Sequence, residues 1–347
     1  MITYVLAIVV IALIFDFING FHDSANSIAT IVGTRVLSPF AAVCWAAFFN
    51  FAALFVVKTA VAKAVASGFI DASIVTPNIM AGALLGAITW NLITWWYGIP
   101  SSSSHALIGG LAGAGITKAG FAALATGAGS KWVQTLGAIV ASPLLGSLFG
   151  FLLMVIVFNA FRHVAPAKVD RGFRPGQLFS SALLSLSHGG NDAQKTMGII
   201  VGLLVSVSPQ FANETGWAHF LYVENTKVIP LWVEIAAYTS ISLGTLFGGW
   251  RIVNTMGSKI TRLRPVGGFC AETGGAVVIL GASMLGIPVS TTHTITGSIV
   301  GVGATSRVRA VRWGLAGRIV WAWVLTIPAS ALIASVAYRL IQWVHPL

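Results

Sequence analysis

From Trp132 to Phe161 the chain runs for thirty residues without a charged side chain. That exceeds the roughly 20 apolar residues that cross a bilayer core as a helix. Two more long runs, Val228 to Trp250 and Trp313 to Trp343, hold only one and two charges. Of 347 residues, 56% are hydrophobic and 8% are charged, against about a quarter charged in soluble domains. A soluble protein with a very large core would need more charged surface positions than this chain has. Alternation of the barrel type is absent, so helices are the spanning form. The expected fold is an all-α polytopic membrane protein. The apolar start, Met1 to Ile14, continues into FDFINGFHD with no basic n-region and no small-residue cleavage site. It reads as a first helix, not a removed signal.

A net charge of +11 raises the question of nucleic acid, and its distribution argues against it. Arg162, Lys168, Arg171 and Arg174 share one loop, Arg251, Lys259, Arg262 and Arg264 a second, and Arg307, Arg309 and Arg312 a third. Short basic loops beside apolar spans are the positive-inside signal. Cys44 and Cys270 form no disulfide or metal pattern and receive no role.

The chain repeats itself. "GIPSSSSH" at Gly98–His105 returns 188 residues later as "GIPVSTTH" at Gly286–His293. Glycines follow each histidine at offsets four, eight and ten: Gly109, Gly113 and Gly115, then Gly297, Gly301 and Gly303. A looser pair precedes them, INGFHDSAN (Ile18–Asn26) and SHGGNDAQK (Ser187–Lys195), with Asn26 facing Lys195. Each half contains about five apolar segments: 1–33, 39–65, 78–99, 101–116 and 132–160, then 177–206, 228–249, 265–286, 289–303 and 314–343. An odd number sends the second half into the membrane from the opposite side, giving an inverted-topology repeat with broken or re-entrant helices at the midplane. The expected divisions are a first membrane repeat over 1–161, a basic cytoplasmic linker over 162–176 and an inverted second repeat over 177–347. With that linker and both other basic clusters inside, together with Arg35 and Arg318, 13 of the 20 Lys and Arg are cytoplasmic. Both termini are then outside.

The octapeptides combine helix-start chemistry. Proline and hydroxyl residues favour a helix beginning, so Pro100 and Pro288 are expected to open helices. Helix starts present unpaired N–H groups and partial positive charge to anions. Ser102, Ser103 and Ser104 add donors from one half, and Ser290, Thr291 and Thr292 from the other. Two such ends could surround a tetrahedral oxyanion without a fixed Arg. The plainer alternative is capping and close packing by small residues, which Gly109, Gly113, Gly297 and Gly301 fit best.

Asp23 and Asp192 lie in what read as interrupted apolar helices, where an unpaired charge is costly. With neutral oxygens from Asn26, Asn191 and Gln194 they form a hard donor set for H⁺, Na⁺ or a divalent metal such as Mg²⁺. Glu272 is a third intramembrane acid that could join them. Asp16 reads as a partner to a nearby helix and Glu234 as an interface residue. His22, His105, His188 and His293 all sit in the motifs, as structural groups or as a proton relay. Lys195 either contacts an anion or neutralises Asp192.

GFHDSANSIAT (20–30), GIPSSSSH (98–105), SHGGNDAQK (187–195), GFCAE (268–272) and PVSTTH (288–293) together resemble the inorganic phosphate transporters of the PiT type. The resemblance covers nearly the whole chain. It implies cation-coupled symport of inorganic phosphate through an inverted-repeat fold in the cell membrane, with no enzyme activity and no resident cofactor. Phosphate-binding positions of the family match Ser102–Ser104 and Ser290–Thr292. Its cation-linked residues match Asp23, Asn26, Asn191 and Asp192, and the phosphate set is completed by the amides of Asn26 and Asn191. Sodium-coupled and eukaryotic members usually read Gly-Ala-Asn-Asp at the first motif, whereas this chain has His22 before Asp23. That resembles the bacterial branch, which is proton-coupled and accepts neutral metal–phosphate complexes, and it implies an inner-membrane location. The expected partners are inorganic phosphate and the lipid bilayer, with a homodimer as the protein assembly. Two other readings compete. A sulfate permease fits the tetrahedral site, but sulfate-carrying relatives look to have lost the first-motif acid. An intramembrane hydrolase needs one activated nucleophile, which a symmetric duplication of polar groups does not serve.

Overall fold

The computed structural model describes residues 1–125, 130–306 and 308–346. Arg307 of the third basic cluster and Leu347 lie outside the described residues. The described residues form helices and connecting turns, with no strand among them. The first half contains α1 (Ile2–Gly33), α2 (Pro39–Ala52), α3 (Ala60–Ser67), α4 (Pro77–Trp96), α5 (Ser103–Ala119) and α6 (Trp132–Ala160). The second contains α7 (Pro166–Ser206), the short α8 (Ser208–Phe211), α9 (Leu231–Phe247), α10 (Trp250–Asn254), α11 (Pro265–Met284), α12 (Thr291–Ser306) and α13 (Trp313–Val344). Six of these are long and apolar enough to cross a membrane, and the bent α2–α3 pair makes a seventh candidate span.

The two halves pack by one rule used twice. α1 packs on α9, and its counterpart α7 packs on α2 and α3. α5 and α4 pack on α13 of the other half, while α12 and α11 pack on α6. Each half thus closes over the hydroxyl-motif helix of the other. Gly113 lies against Ala331 and Gly301 against Ser147, where an added Cβ would stand 2.1 and 2.0 Å from backbone oxygens. Those glycines serve close packing, as expected. α6 and α13 are the peripheral walls. Only 22% of each one's spanning window is buried, against 67% for α11, and their outer faces carry the exposed apolar side chains Leu144, Ile156, Trp321 and Leu332.

Two sequence expectations are corrected. The 162–176 stretch is not a loop, because α7 begins at Pro166 and runs for 41 residues. Pro166 sits at its first turn, where the missing N–H costs nothing. The acidic motifs also lie inside unbroken helices, α1 and α7. Their glycines do not break the helix but let a partner approach: a Cβ at Gly20 would meet Ile241 O at 2.1 Å, and one at Gly189 would meet Asn50 O at 2.6 Å.

The breaks fall instead in the partner helices. The α2–α3 pair bends by 82°, and the second half breaks between α9 and α10. Backbone groups freed at such breaks need partners inside the protein, and the acidic-motif helices supply them. Gln194 Oε1 accepts from Val61 N (2.9 Å) and Ala62 N (3.2 Å), and its Nε2 donates to Lys58 O (2.9 Å). Ser24 Oγ accepts from Gly249 N at 2.5 Å. The basic segments meet at one end of the molecule. Arg174 donates to Arg35 O (2.8 Å), Arg264 pairs with Asp170 (2.6 Å), and Arg312 N donates to Ile260 O (3.0 Å).

Candidate substrate and cation site

The octapeptide is a stop, a turn and a start. Gly98 has φ +64° and Gly286 φ +67°, a backbone that favours glycine. Gly98 N donates to Trp95 O and Ile99 N to Thr94 O, both at 2.9 Å. Gly286 N and Ile287 N do the same to Ser283 O and Ala282 O, at 3.1 and 2.9 Å. This crossed pair of bonds closes a helix at a left-handed glycine. Pro100 and Pro288 then prevent continuation. They were expected to open the next helices, but α5 starts at Ser103 and α12 at Thr291. The reason is capping: Ser102 Oγ accepts from His105 N (3.2 Å), and Ser290 Oγ from His293 N (3.1 Å).

The two helix starts come to one place. The His105 and His293 rings lie 4.7 Å apart between centroids. Lys195 Nζ donates to Ser104 Oγ of the first motif and to Val289 O of the second, at 2.8 Å for the latter. Asn26 Nδ2 donates to Thr291 Oγ1 (3.1 Å) and Thr292 Oγ1 (3.0 Å). Each acidic-motif helix therefore touches the hydroxyl helix of the opposite half. Ser102, Ser103, Ser104, Ser290, Thr291 and Thr292 are all buried.

The carboxylates join the same place. Ligand atoms of Asp23, His188 and Asp192 lie within 4.8 Å of one another, all buried. Asp192 Oδ1 receives Lys195 Nζ at 2.5 Å, and Oδ2 receives Thr291 Oγ1 at 3.1 Å. His188 Nε2 stands 3.3 Å from Asp192 Oδ2, and its Nδ1 is 3.3 Å from Asn50 Oδ1. His22 Nδ1 is 2.6 Å from Asp23 Oδ1, and its Nε2 is 3.0 Å from Thr94 Oγ1. Ser101 Oγ donates to Thr94 Oγ1 at 2.8 Å. Asn191 Nδ2 donates to Ser283 Oγ at 2.7 Å.

Glu272 keeps separate company. Its oxygens accept from Thr30 (2.6 Å), Gln177 (2.9 Å) and Ser180 (2.5 Å). Thr30 lies one turn beyond Asn26 on α1, so the network is near the cluster without a bond to Asp23 or Asp192. The four histidines divide likewise. His22 and His188 stand beside carboxylates, while His105 and His293 face each other, with His293 stacked on Trp323 at 3.8 Å.

Several buried polar atoms here have no protein partner: Ser103 Oγ, Asn26 Oδ1, Asn191 Oδ1 and His105 Nδ1. Buried polar atoms are ordinarily paired, so these unpaired ones are candidate contacts for a polar ligand. Sequence reading missed the supports Thr94, Ser101, Asn50 and Ser283. Ser101 alone carried a signal, as the first hydroxyl of the serine run.

Residues 19–334 match the Phosphate transporter family. The chain belongs to that family. A Rhizobium meliloti protein named "Probable low-affinity inorganic phosphate transporter" is 56% identical, over 95% of this chain and 94% of its own length. A Bacillus subtilis protein of the same name is 44% identical over 97% of both chains. A solved structure titled "The sodium-dependent phosphate transporter" superposes with a TM-score of 0.86 at 25% identity, covering 99% of this chain and all of the other. This member of the family is a multi-pass protein of the cell membrane, and its similarity is to transporters, not enzymes.

Proposed function

We propose that this protein carries inorganic phosphate across the cell membrane as a cation-coupled symporter. One observation carries the reading: two duplicated hydroxyl-capped helix starts, from opposite halves, abut at His105 and His293 beside a pair of buried carboxylates. Helix N-termini with hydroxyl donors suit a tetrahedral oxyanion. Ser102–Ser104, Ser290–Thr292, Asn26 and Asn191 form the phosphate set. Release stays easy because no Arg enters it.

Asp23 and Asp192 offset the anion by taking up the driving cation. A cation and an anion bound side by side each raise the other's affinity, which is the energetic basis of symport. The proton is the favoured ion, since Asp23 is paired with an imidazole at 2.6 Å. Na⁺ is the alternative, and a divalent metal such as Mg²⁺ travelling with phosphate would meet Asp23, His188 and Asp192. His22, His105, His188 and His293 are the relay candidates, with Glu272 acting from its own network.

Uptake of labelled phosphate into proteoliposomes tests this, with pH and Na⁺ gradients imposed separately. An acid-outside gradient should drive accumulation without Na⁺, and excess sulfate should not compete. Equal competition by sulfate would refute phosphate selectivity. Uptake only with Na⁺ would move the coupling from proton to sodium.

A further inference from the structure

The repeat is broken at several positions near the substrate site, and at one of them the break adds a charge. Aligning the acidic motifs puts Asp23 with Asp192 and Asn26 with Lys195. Aligning the octapeptides puts Ser104 with Thr292 and Ser101 with Val289. The contacts obey both alignments. Asn26 Nδ2 donates to Thr292, and Lys195 Nζ donates to Ser104. The second half thus places an ammonium where the first half places a neutral amide.

The surroundings of that ammonium are oxygens. Lys195 Nζ meets the Asp192 carboxylate at 2.5 Å, the Val289 carbonyl at 2.8 Å and the Ser104 hydroxyl. A carboxylate, a carbonyl and a hydroxyl from three separate segments form the donor set that a small hard cation takes. Lys195 is itself 2% exposed and Asp192 0%. A buried carboxylate needs a positive partner, and here the partner is covalently attached to the same helix, three residues on.

We infer that Lys195 is a built-in cation that occupies one of two repeat-related cation positions and thereby removes one mobile ion from the transport cycle. The inference rests on the cation role proposed above for the two carboxylates and narrows it: Asp192 already holds the Lys195 ammonium, so the mobile cation belongs to Asp23. The charge balance agrees. Two carboxylates and one ammonium leave a single net negative charge before the anion binds, so one mobile monovalent cation at Asp23 neutralises the phosphate-free cluster. A chain with an amide at both positions would require two. Lys195 sets the number of ions coupled to each phosphate, and it sets which carboxylate they use. It is held off the anion by its own three acceptors.

Lys195→Asn restores the repeat and tests this, with Lys195→Arg as the charge-retaining control. The first readout is thermal unfolding of the purified, phosphate-free protein in NaCl against choline chloride at equal ionic strength. The Asn variant should gain a Na⁺-dependent rise in melting temperature. Wild type and the Arg variant should not gain that component, and adding Asp192→Asn should abolish it. The second readout is uptake in proteoliposomes. The Asn variant should show at least tenfold slower uptake in choline medium than wild type, restored by Na⁺. Unchanged cation dependence of the Asn variant would overturn the inference. So would a Na⁺ effect seen only with phosphate present, which would make Lys195 a direct phosphate contact. A variant that stays unfolded in every cation would overturn it too, because the oxygen shell would then be unable to hold a free ion. These failures concern Lys195 alone. Absence of phosphate uptake by wild type would instead remove the transport reading itself.

Discussion

Asp23→Asn is expected to keep phosphate exchange across the membrane and to lose accumulation driven by a pH gradient. The amide nearly reproduces the shape of the protonated acid, so the fit to His22, 2.6 Å from the present carboxylate, is largely kept. An amide does not take up and release a proton at transport pH, so the cycle loses the group whose occupancy follows the side it faces. Exchange needs only reorientation of the loaded site, whereas accumulation needs net return of the unloaded one. Internal phosphate should therefore approach the external concentration and stop there. The check is labelled-phosphate exchange and net uptake on the same vesicles, acid outside and without Na⁺. Full accumulation by the variant would show that Asp23 does not carry the driving ion.

Asp192→Asn is expected to be among the most destabilising single substitutions in the molecule. It leaves the Lys195 ammonium buried without a counter-charge, among neutral acceptors that include Ser104 and Val289 O. Removing one partner of a buried ion pair costs about 3–5 kcal/mol, because the other charge loses its compensation while staying out of water. Replacing both members by neutral residues costs less. Asp192→Asn should therefore lower the unfolding midpoint markedly, and Asp192→Asn with Lys195→Met should recover part of the loss. Equal midpoints for the single and double variants would show that the pair is not energetically coupled.

The sequence made the duplication legible because the octapeptide encodes local backbone events. Glycine at a left-handed helix end, proline to block continuation and a hydroxyl to cap the next helix leave a fixed spacing wherever they occur. The helix start itself was misplaced by a few residues, since proline can precede a cap as easily as follow one. The acidic motifs were harder. Gly20 and Gly189 looked like interruptions of a helix, yet both permit a neighbouring backbone to approach, a fact that resides in α9 and α2 and not in the motif. The linker was misread because its basic residues signal a membrane boundary, and a helix can run through such a basic stretch, as α7 does from Pro166. Thr94, Asn50 and Ser283 were invisible for a related reason. Each is a polar residue of an apolar helix outside the repeated motifs, distinguished only by the side chain it meets in space. Lys195 was noticed as an anomaly, but its choice of Asp192 and Ser104 depends on the crossing of the two halves.

That crossing makes one central claim: the hydroxyl helices of opposite halves bind a single anion. The most direct measurement is a double-mutant cycle on phosphate affinity, using Ser103→Ala, Thr291→Ala and the pair. Ser103 Oγ has no protein partner, while Thr291 Oγ1 lies between Asn26 and Asp192. Each single substitution should weaken phosphate binding by about 1–3 kcal/mol, the usual cost of an unmade buried hydrogen bond. Groups that share one ligand are coupled, so the double variant should depart from the sum by more than about 0.5 kcal/mol. Strict additivity, with each variant weakened independently, would contradict a shared phosphate site.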